Sequence, residues 1–202
     1  MKKPSTDKRP LLIGITGGIG SGKTSVCKVF EALGVPVYCA DENAKMLTNA
    51  CPTIKKQLIE LFGNEIYTET GLNRAKLANL IFNNKKALDQ VNAIIHPAVN
   101  THFATWVEQH AAKKMLVKEA AILIESGSYK QLDVIITVST NIEERVNRVR
   151  RRDGFLEEDI LARMKNQLSD SEREKFADYV INNNDNVQIL PVILAIYTKL
   201  QL

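Results

Sequence analysis

The sequence predicts an α/β fold in which a five-stranded parallel sheet is interrupted by a mostly helical segment. Three observations lead to this prediction. Short apolar runs alternate with helical periodicity near both ends of the chain, whereas residues 41–113 show helical periodicity with no convincing strand. The length of 202 residues suits one large domain that carries an insertion.

The first elements surround a glycine-rich loop. Residues 11–16 form a short apolar run, and residues 21–33 carry apolar side chains at helical spacing, so a strand, a tight loop and a helix follow one another. Gly34 ends that helix, and residues 35–39 form a second strand. Two strands joined by a helix indicate a parallel sheet.

The sheet resumes after the helical segment. Ser139, Thr140 and Asn141 are good capping residues between a strand and a helix. In chain order we predict strands at 115–124 and 134–138, helices at 142–152 and 157–168, a strand at 179–182 and a helix at 187–200. The domains are then a core of residues 11–40 and 114–202 and a helical subdomain of residues 41–113. Ligands of such sheets bind at the carboxyl ends of the strands.

Composition excludes several classes of protein. With 45% apolar and 25% charged residues, the chain is neither disordered nor a coiled coil. Lys2, Lys3 and Lys8 before an apolar run imitate a secretory signal, but glycines interrupt that run, and no apolar stretch is long enough to cross a membrane. Three cysteines without a CxxC pair suggest neither a disulfide framework nor a zinc site, so we expect a cytoplasmic protein.

The segment from Gly17 to Thr24 fits G-x-x-x-x-G-K-[ST], the Walker A motif or P-loop, called the phosphate loop below. Its small residues let consecutive backbone N–H groups turn toward phosphate oxygens, Lys23 adds a mobile charge, and Thr24 supplies a hydroxyl for Mg²⁺. A glycine-rich turn that merely joins two elements is the alternative, which the preceding strand and the following helix disfavour. The predicted ATP-binding residues here are Gly18, Ile19, Gly20, Ser21, Gly22, Lys23, Thr24 and Ser25.

Other nucleotide-binding classes lack their diagnostic motifs. A GTP switch carries D-x-x-G and N-K-x-D, and neither occurs in this sequence. An ATPase motor carries paired acids after an apolar strand, whereas Glu119 and Glu125 lie apart. A small kinase, in which a phosphate loop, an acceptor subdomain and an arginine-bearing lid close on two substrates, remains.

Arginines are concentrated in the predicted helix at residues 142–152: Arg145, Arg148, Arg150, Arg151 and Arg152. Arg148 and Arg152 are spaced so that both can lie on one face and meet a triphosphate. A solvated helix face, balanced by nearby acids, and a nucleic-acid patch are the alternatives. The phosphate loop favours the lid, which we place near residues 148–167.

Two further residues are candidates for the acceptor site. Asp41 follows the second strand, where it can accept a proton from an acceptor hydroxyl, orient that hydroxyl, or cap the next helix. His96 precedes Pro97, and proline disfavours helix at the residue before it, so we expect a bend there. Spacing alone favours a packing role for His96.

Several separated blocks together resemble the dephospho-CoA kinase family from Ile13 to about Asn183. They are Ile15 to Lys23, Ala40-Asp41, Arg74 with Leu77-Ala78 and Phe82, Ile95-His96-Pro97, Leu123 with Glu125, Arg148 with Arg152-Asp153-Gly154, Arg163 with Gln167, and Ala177 to Ile181 with Asn183. Ala121, Ile124 and Asn182 depart from the family pattern, at positions that concern packing and strand ends.

The resemblance implies a P-loop kinase core and transfer of the ATP γ-phosphoryl group to the ribose 3′-hydroxyl of dephospho-CoA, with Mg²⁺ as cofactor. It implies that Asp41 activates or positions that hydroxyl. It also implies acceptor-binding roles for Arg74 and His96, lid roles for Arg148 and Arg152, and a position near adenine for Asn183. A kinase with another small acceptor stays open, as does a nucleic-acid-binding module, which the net charge of +4 disfavours. We expect a monomer or a weak homo-oligomer with no nucleic-acid or membrane partner.

Overall fold

The computed structural model describes residues 9–81 and 84–201, so Phe82 and the lysines at positions 2, 3 and 8 lie outside the described residues. The strands are β1 (Leu11–Thr16), β2 (Val37–Cys39), β3 (Tyr67–Thr68), β4 (Gly71–Leu72), β5 (Met115–Glu119), β6 (Val134–Ser139) and β7 (Tyr179–Asn182). The α-helices are α1 (Lys23–Ala32), α2 (Ala40–Ala50), α3 (Pro52–Phe62), α4 (Arg74–Ile81), α5 (Lys85–Gln109), α6 (Ile142–Asp153), α7 (Glu157–Lys165), α8 (Asp170–Glu174) and α9 (Ile189–Leu200).

A five-stranded parallel sheet organises the larger part of the molecule, as predicted. Its strand order is β2-β5-β1-β6-β7, and every pairing is parallel. β1 is buried along almost its whole length, as expected for a strand with neighbours on both sides and both faces covered. The carboxyl ends of β1 and β5 therefore lie side by side at one edge, where the phosphate loop begins.

The main apolar core lies between this sheet and the helices α1 and α9. Ile13 and Ile15 of β1 pack there with Val26 and Phe30 of α1 and with Ile193 of α9. The apolar residues of α1 recur at helical spacing, so one face of the helix is buried and the other remains exposed. This packing fixes the first turn of α1 directly after the phosphate loop.

The chain divides into two compact units. Among the described residues, positions 9–39 and 107–201 form the sheet unit, and those between Ala40 and Trp106 form the helical unit. The helical unit has its own apolar core, built around Ile54, Leu58 and Val91. It also contains a small antiparallel hairpin, β3 with β4, in the segment where the sequence predicted no strand. Strands of two residues are too short to give a period-2 signal.

The structure also differs from the sequence predictions at the end of β5 and near Pro97. The strand predicted at 115–124 ends at Glu119, because the next residues turn: the N–H of Ser126 bonds the Ile122 carbonyl, and that of Gly127 bonds the Ile124 carbonyl. The bend expected at His96 does not end the helix, since α5 continues through Pro97. An internal proline costs about 3 kcal/mol, and burial of Val91, Val99 and Phe103 along α5 offsets that cost.

Capping residues define the ends of α6 and α8. The Asn141 side chain accepts a hydrogen bond from the N–H of Glu144, which agrees with the capping role predicted for this segment. Gly154 ends α6 in the left-handed conformation. Ser169 and Glu172 form a capping box at the start of α8, a short helix that hydrophobic periodicity did not predict.

No α-helix among residues 9–81 and 84–201 is both long enough and apolar enough to cross a membrane.

Lys118 is a charged residue on a central strand. It lies on β5 with 1% of its surface exposed, and burial lowers its pKa to about 8. The unfolded chain keeps an ordinary lysine pKa of about 10.4. Because the folded protein binds this proton less tightly, the residue destabilises the fold at neutral pH. That effect disappears as the pH rises past the unfolded value.

We therefore predict that the stability of Lys118→Met relative to the unchanged protein depends on pH. The relative free energy of unfolding of the variant should fall, by on the order of 3 kcal/mol, as the pH rises from about 8, the folded pKa, toward the ordinary lysine value. Urea unfolding of both proteins across this range measures it. A difference that does not depend on pH would contradict a charge that is costly to bury.

Candidate active site

The phosphate loop joins the end of β1 to the start of α1. Gly20 and Gly22 have positive φ angles of 79° and 90°, a conformation that side chains rarely adopt. Gly22 is the N-cap residue of α1, so the loop ends where the free N–H groups of the helix begin. These two conformations turn the backbone around a concave space suited to phosphate oxygens.

Lys23 is the first residue of α1, and its side chain reaches back over the loop. Its Nζ donates to the carbonyl oxygen of Gly17 at 2.9 Å and to that of Gly18 at 3.4 Å. The Nζ also lies 3.8 Å from Oε1 of Glu119. The ammonium group is therefore already positioned across the loop, where it can meet a terminal phosphate.

Glu119 is a site residue that sequence reasoning missed. It is the last residue of β5 and lies between Ile15 of β1 and Cys39 of β2, with its side chain 13% exposed. The sequence placed it inside a longer strand; an acid at the carboxyl end of a strand beside the phosphate loop is the signal that could have identified it. Burial and then the nearby Glu119 charge raise the pKa of the Cys27 thiol, which stays protonated and unreactive.

The first turn of α1 provides hydroxyl groups at the same edge. Thr24 and Ser25 are both exposed. A hydroxyl and a carboxylate are hard oxygen donors of the type that Mg²⁺ prefers, so Thr24 and Glu119 fit the ion chemically. Within residues 9–81 and 84–201, no three His, Cys, Asp or Glu side chains cluster around a possible metal position.

The structure brings Asn183 and Arg148 to the loop. The Asn183 amide Nδ2 donates to the carbonyl oxygen of Ser21 at 2.8 Å. A Cβ atom on Gly22 would overlap that same amide nitrogen. The Arg148 guanidinium donates to the Asn183 carbonyl oxygen at 2.8 Å and to Asp185 Oδ1 at 2.7 Å. Arg148 thus links α6 to the segment that follows β7, and this segment contacts the loop.

Arg152 has different surroundings. Its guanidinium makes two hydrogen bonds of 2.8 Å to the Asp153 carboxylate, and its side chain is 65% exposed. The helical spacing of Arg148 and Arg152 is present, but in this conformation Arg152 pairs with its neighbour in sequence.

The predicted acceptor residues belong to the helical unit. Asp41 lies in the first turn of α2 and is exposed. Arg74, the first residue of α4, donates to the Lys45 carbonyl oxygen and to Thr48 Oγ1, both at 3.1 Å. Arg74 is therefore held against the helix that carries Asp41. His96 is partly buried within α5.

Comparison with known proteins identifies the family of this chain. The family model described as dephospho-CoA kinase matches residues 11–188. A dephospho-CoA kinase from Bacteroides fragilis is 42% identical over 182 residues, which cover 90% of this chain and 89% of that protein. One from Leptospira interrogans is 39% identical over 191 residues, covering 94% and 92% of the two chains.

Solved structures agree with the fold. TT1252 from Thermus thermophilus superposes with a TM-score of 0.83 at 31% identity, covering 95% of this chain and 98% of that one. A shikimate kinase from Bacteroides thetaiotaomicron shares the fold at a TM-score of 0.53 and 16% identity, covering 95% and 99% of the two chains. With the phosphate loop formed as its motif requires, and with relatives matched over nearly their whole lengths, the chain belongs to the dephospho-CoA kinase family.

Proposed function

We propose that this protein transfers the γ-phosphoryl group of ATP to the ribose 3′-hydroxyl of dephospho-CoA, forming coenzyme A and ADP. The observation that carries the proposal is the phosphate loop with Lys23 positioned across it and Glu119 beside it, in a chain of this family. The P–O bond to the leaving ADP oxygen breaks as the bond to the acceptor oxygen forms, and the acceptor proton must be removed.

Phosphoryl transfer asks for alignment and charge stabilisation more than for covalent chemistry. The loop N–H groups and the dipole of α1 bind the phosphates, and Lys23 compensates charge on the transferred group. Thr24 and Glu119 would hold Mg²⁺, directly or through water, and the ion would neutralise charge on the phosphate oxygens. Arg148 and Arg152 would complete the charge compensation from the lid when it closes.

The acceptor roles are assigned within the helical unit. Asp41 accepts or orients the proton of the acceptor hydroxyl, while Arg74 and His96 bind the rest of the acceptor. The contacts of Arg74 with α2 support this, because they link an acceptor-binding cation to the helix whose first turn carries Asp41. Asn183 is assigned to the adenine end of ATP on the family resemblance of its segment, and its bond to Ser21 keeps that segment beside the loop.

The alternatives receive less support. A kinase for another small hydroxyl acceptor would share the phosphate loop, but the relatives matched over most of this chain are dephospho-CoA kinases. For a nucleic-acid-binding module the arginines of α6 should form one open surface, yet Arg145 is 5% exposed and Arg148 is paired with acids. A cytoplasmic location, where ATP is available, is part of the proposal, and the monomeric or weakly oligomeric state stays a prediction.

The direct test is acceptor-dependent ADP release. The purified protein should release ADP from ATP rapidly with dephospho-CoA, and only at background rates with shikimate or nucleoside monophosphates. Lys23→Ala is the inactive control, and we expect its kcat to fall by a factor of about 100 to 1,000, as when a transition-state charge donor is removed. Equal rates with and without dephospho-CoA would contradict the proposed reaction.

The roles of the Asp41 and Glu119 carboxylates can be distinguished by replacing each residue with its isosteric amide. We predict that Asp41→Asn lowers kcat by a factor of about 100 to 10,000, the usual contribution of a general base. ATP affinity and the Mg²⁺ dependence of the rate should stay nearly unchanged in this variant. Glu119→Gln should instead raise the Mg²⁺ concentration needed for half-maximal rate. Initial rates measured over a series of Mg²⁺ concentrations give kcat and the half-maximal Mg²⁺ concentration for each variant. A selective loss of ATP affinity in Asp41→Asn would instead assign that residue to helix capping.

A further inference from the structure

The guanidinium of Arg145 lies inside the sheet unit, against the phosphate loop. Arg145 belongs to α6, and its side chain is 6% exposed. Its Nε donates to the carbonyl oxygen of Ile19 at 2.9 Å. A charged side chain from a distant part of the sequence thus holds one peptide group of the loop.

The backbone N–H of Ile19 is also hydrogen-bonded to a side chain. The N–H of Ile19 donates to Oε1 of Gln167 at 2.9 Å. Gln167 follows α7, so the two partners of Ile19 come from two different segments. The Ile19 N–H belongs to the Gly18–Ile19 peptide group and its carbonyl to the Ile19–Gly20 peptide group, so each of the two peptide groups that flank Ile19 is held by one side-chain hydrogen bond.

The glycines on either side of Ile19 make this contact possible. At Gly18, the three nearest atoms to an added Cβ all belong to the Arg145 guanidinium, which that Cβ would overlap. At Gly20, an added Cβ would come 2.6 Å from the Arg145 carbonyl oxygen. Arg145 therefore explains why the loop carries glycine at a position without a positive φ angle, Gly18.

Arg145 is in turn held by a chain of ion pairs in which the two arginines are buried and the two acids are partly exposed. Its Nη1 lies 3.4 Å from Asp170 Oδ1, which also accepts a hydrogen bond of 2.8 Å from Arg173. The fully buried Arg173 side chain lies 3.6 Å from Glu125 Oε1 and donates to the Leu168 carbonyl oxygen at 2.7 Å. The sequence Arg145, Asp170, Arg173, Glu125 alternates in sign and connects α6, α8 and the turn after β5.

Stability alone does not account for such a network. Buried ion pairs are often no more stabilising than apolar side chains of the same volume, because removing the charges from water is costly. Two almost completely buried arginines and their acids do fix geometry, since each guanidinium hydrogen bond requires a defined direction. The group at the end of this chain is the backbone of the phosphate loop.

We propose that Arg145 is a positioning residue for nucleotide binding: it holds the Ile19 peptide so that the neighbouring loop N–H groups face the phosphates, and Asp170 and Arg173 hold Arg145. The proposal rests on the proposed function, because it assumes that the loop binds a nucleotide. It deepens that function by assigning the shape of the loop to side chains outside the motif.

A double-mutant cycle on ADP affinity tests the proposal. By titration calorimetry with ADP and Mg²⁺, Arg145→Met should weaken ADP binding by about tenfold or more, the loss expected when a charged hydrogen bond is removed. Gly18→Ala should weaken it similarly, because the methyl group displaces the guanidinium. The double variant should bind ADP no more weakly than the single variant with the lower ADP affinity, because methionine leaves room for the added methyl group.

Three further measurements exclude a merely structural role. Arg9→Met is the matched control: it removes an arginine that makes a two-bond contact with Asp133 in the same unit, and it should leave ADP affinity unchanged. Arg145→Lys should recover part of the affinity, because lysine can still donate to the Ile19 carbonyl. If Arg145→Met does not fold, Asp170→Asn replaces it and should still weaken ADP binding severalfold with a cooperative melting transition.

Unchanged ADP affinity in folded Arg145→Met or Asp170→Asn would overturn the proposal. It would also be overturned if the loss of ADP affinity in the double variant equalled the product of the losses in Gly18→Ala and Arg145→Met. ADP binding needs no acceptor, so a wild-type protein that binds ADP but ignores dephospho-CoA would contradict the proposed reaction and leave this inference intact. A wild-type protein that does not bind ADP would contradict both.

Discussion

The phosphate loop must turn its backbone N–H groups inward to bind a nucleotide, and the elements around the loop hold that turn. Backbone N–H groups bind phosphate well only when several of them converge on it, and a loop without surrounding structure does not keep that arrangement. Here the turn is imposed from three sides: β1 fixes where the loop begins, α1 fixes where it ends, and side chains from α6 and the segment after α7 hold its middle at Ile19.

The sheet unit buries several charged side chains, and its apolar core offsets the cost of burying them. The apolar core between the sheet and the helices α1 and α9 supplies the favourable free energy. Lys118, Arg145 and Arg173 are buried charges that this core must support. Arg145 and Arg173 are paired with acids and direct their hydrogen bonds toward the loop and its supports. The free energy gained in the apolar core thus allows buried arginines to fix the geometry of the phosphate loop.

Local patterns predicted the order of the core elements and the phosphate loop, because strand runs, helical periods and the glycine motif are all contained within short windows. The end of β5 at Glu119 and the continuation of α5 through Pro97 depend on tertiary packing, which overrides local preference. The arginines of α6 looked like a single basic face. Burial separates them, since Arg145 contacts the loop, Arg148 pairs with acids, and Arg152 lies in solvent.

If the loop backbone itself binds the nucleotide, its amide groups must change environment when ADP enters. Titration of ¹⁵N-labelled protein with ADP and Mg²⁺ follows those amide resonances one by one. We expect the largest shifts at the amides of residues 20–24 and a smaller shift at the Ile19 amide, which is already bonded to Gln167. Saturating ADP binding that leaves the amides of residues 20–24 unshifted would contradict it.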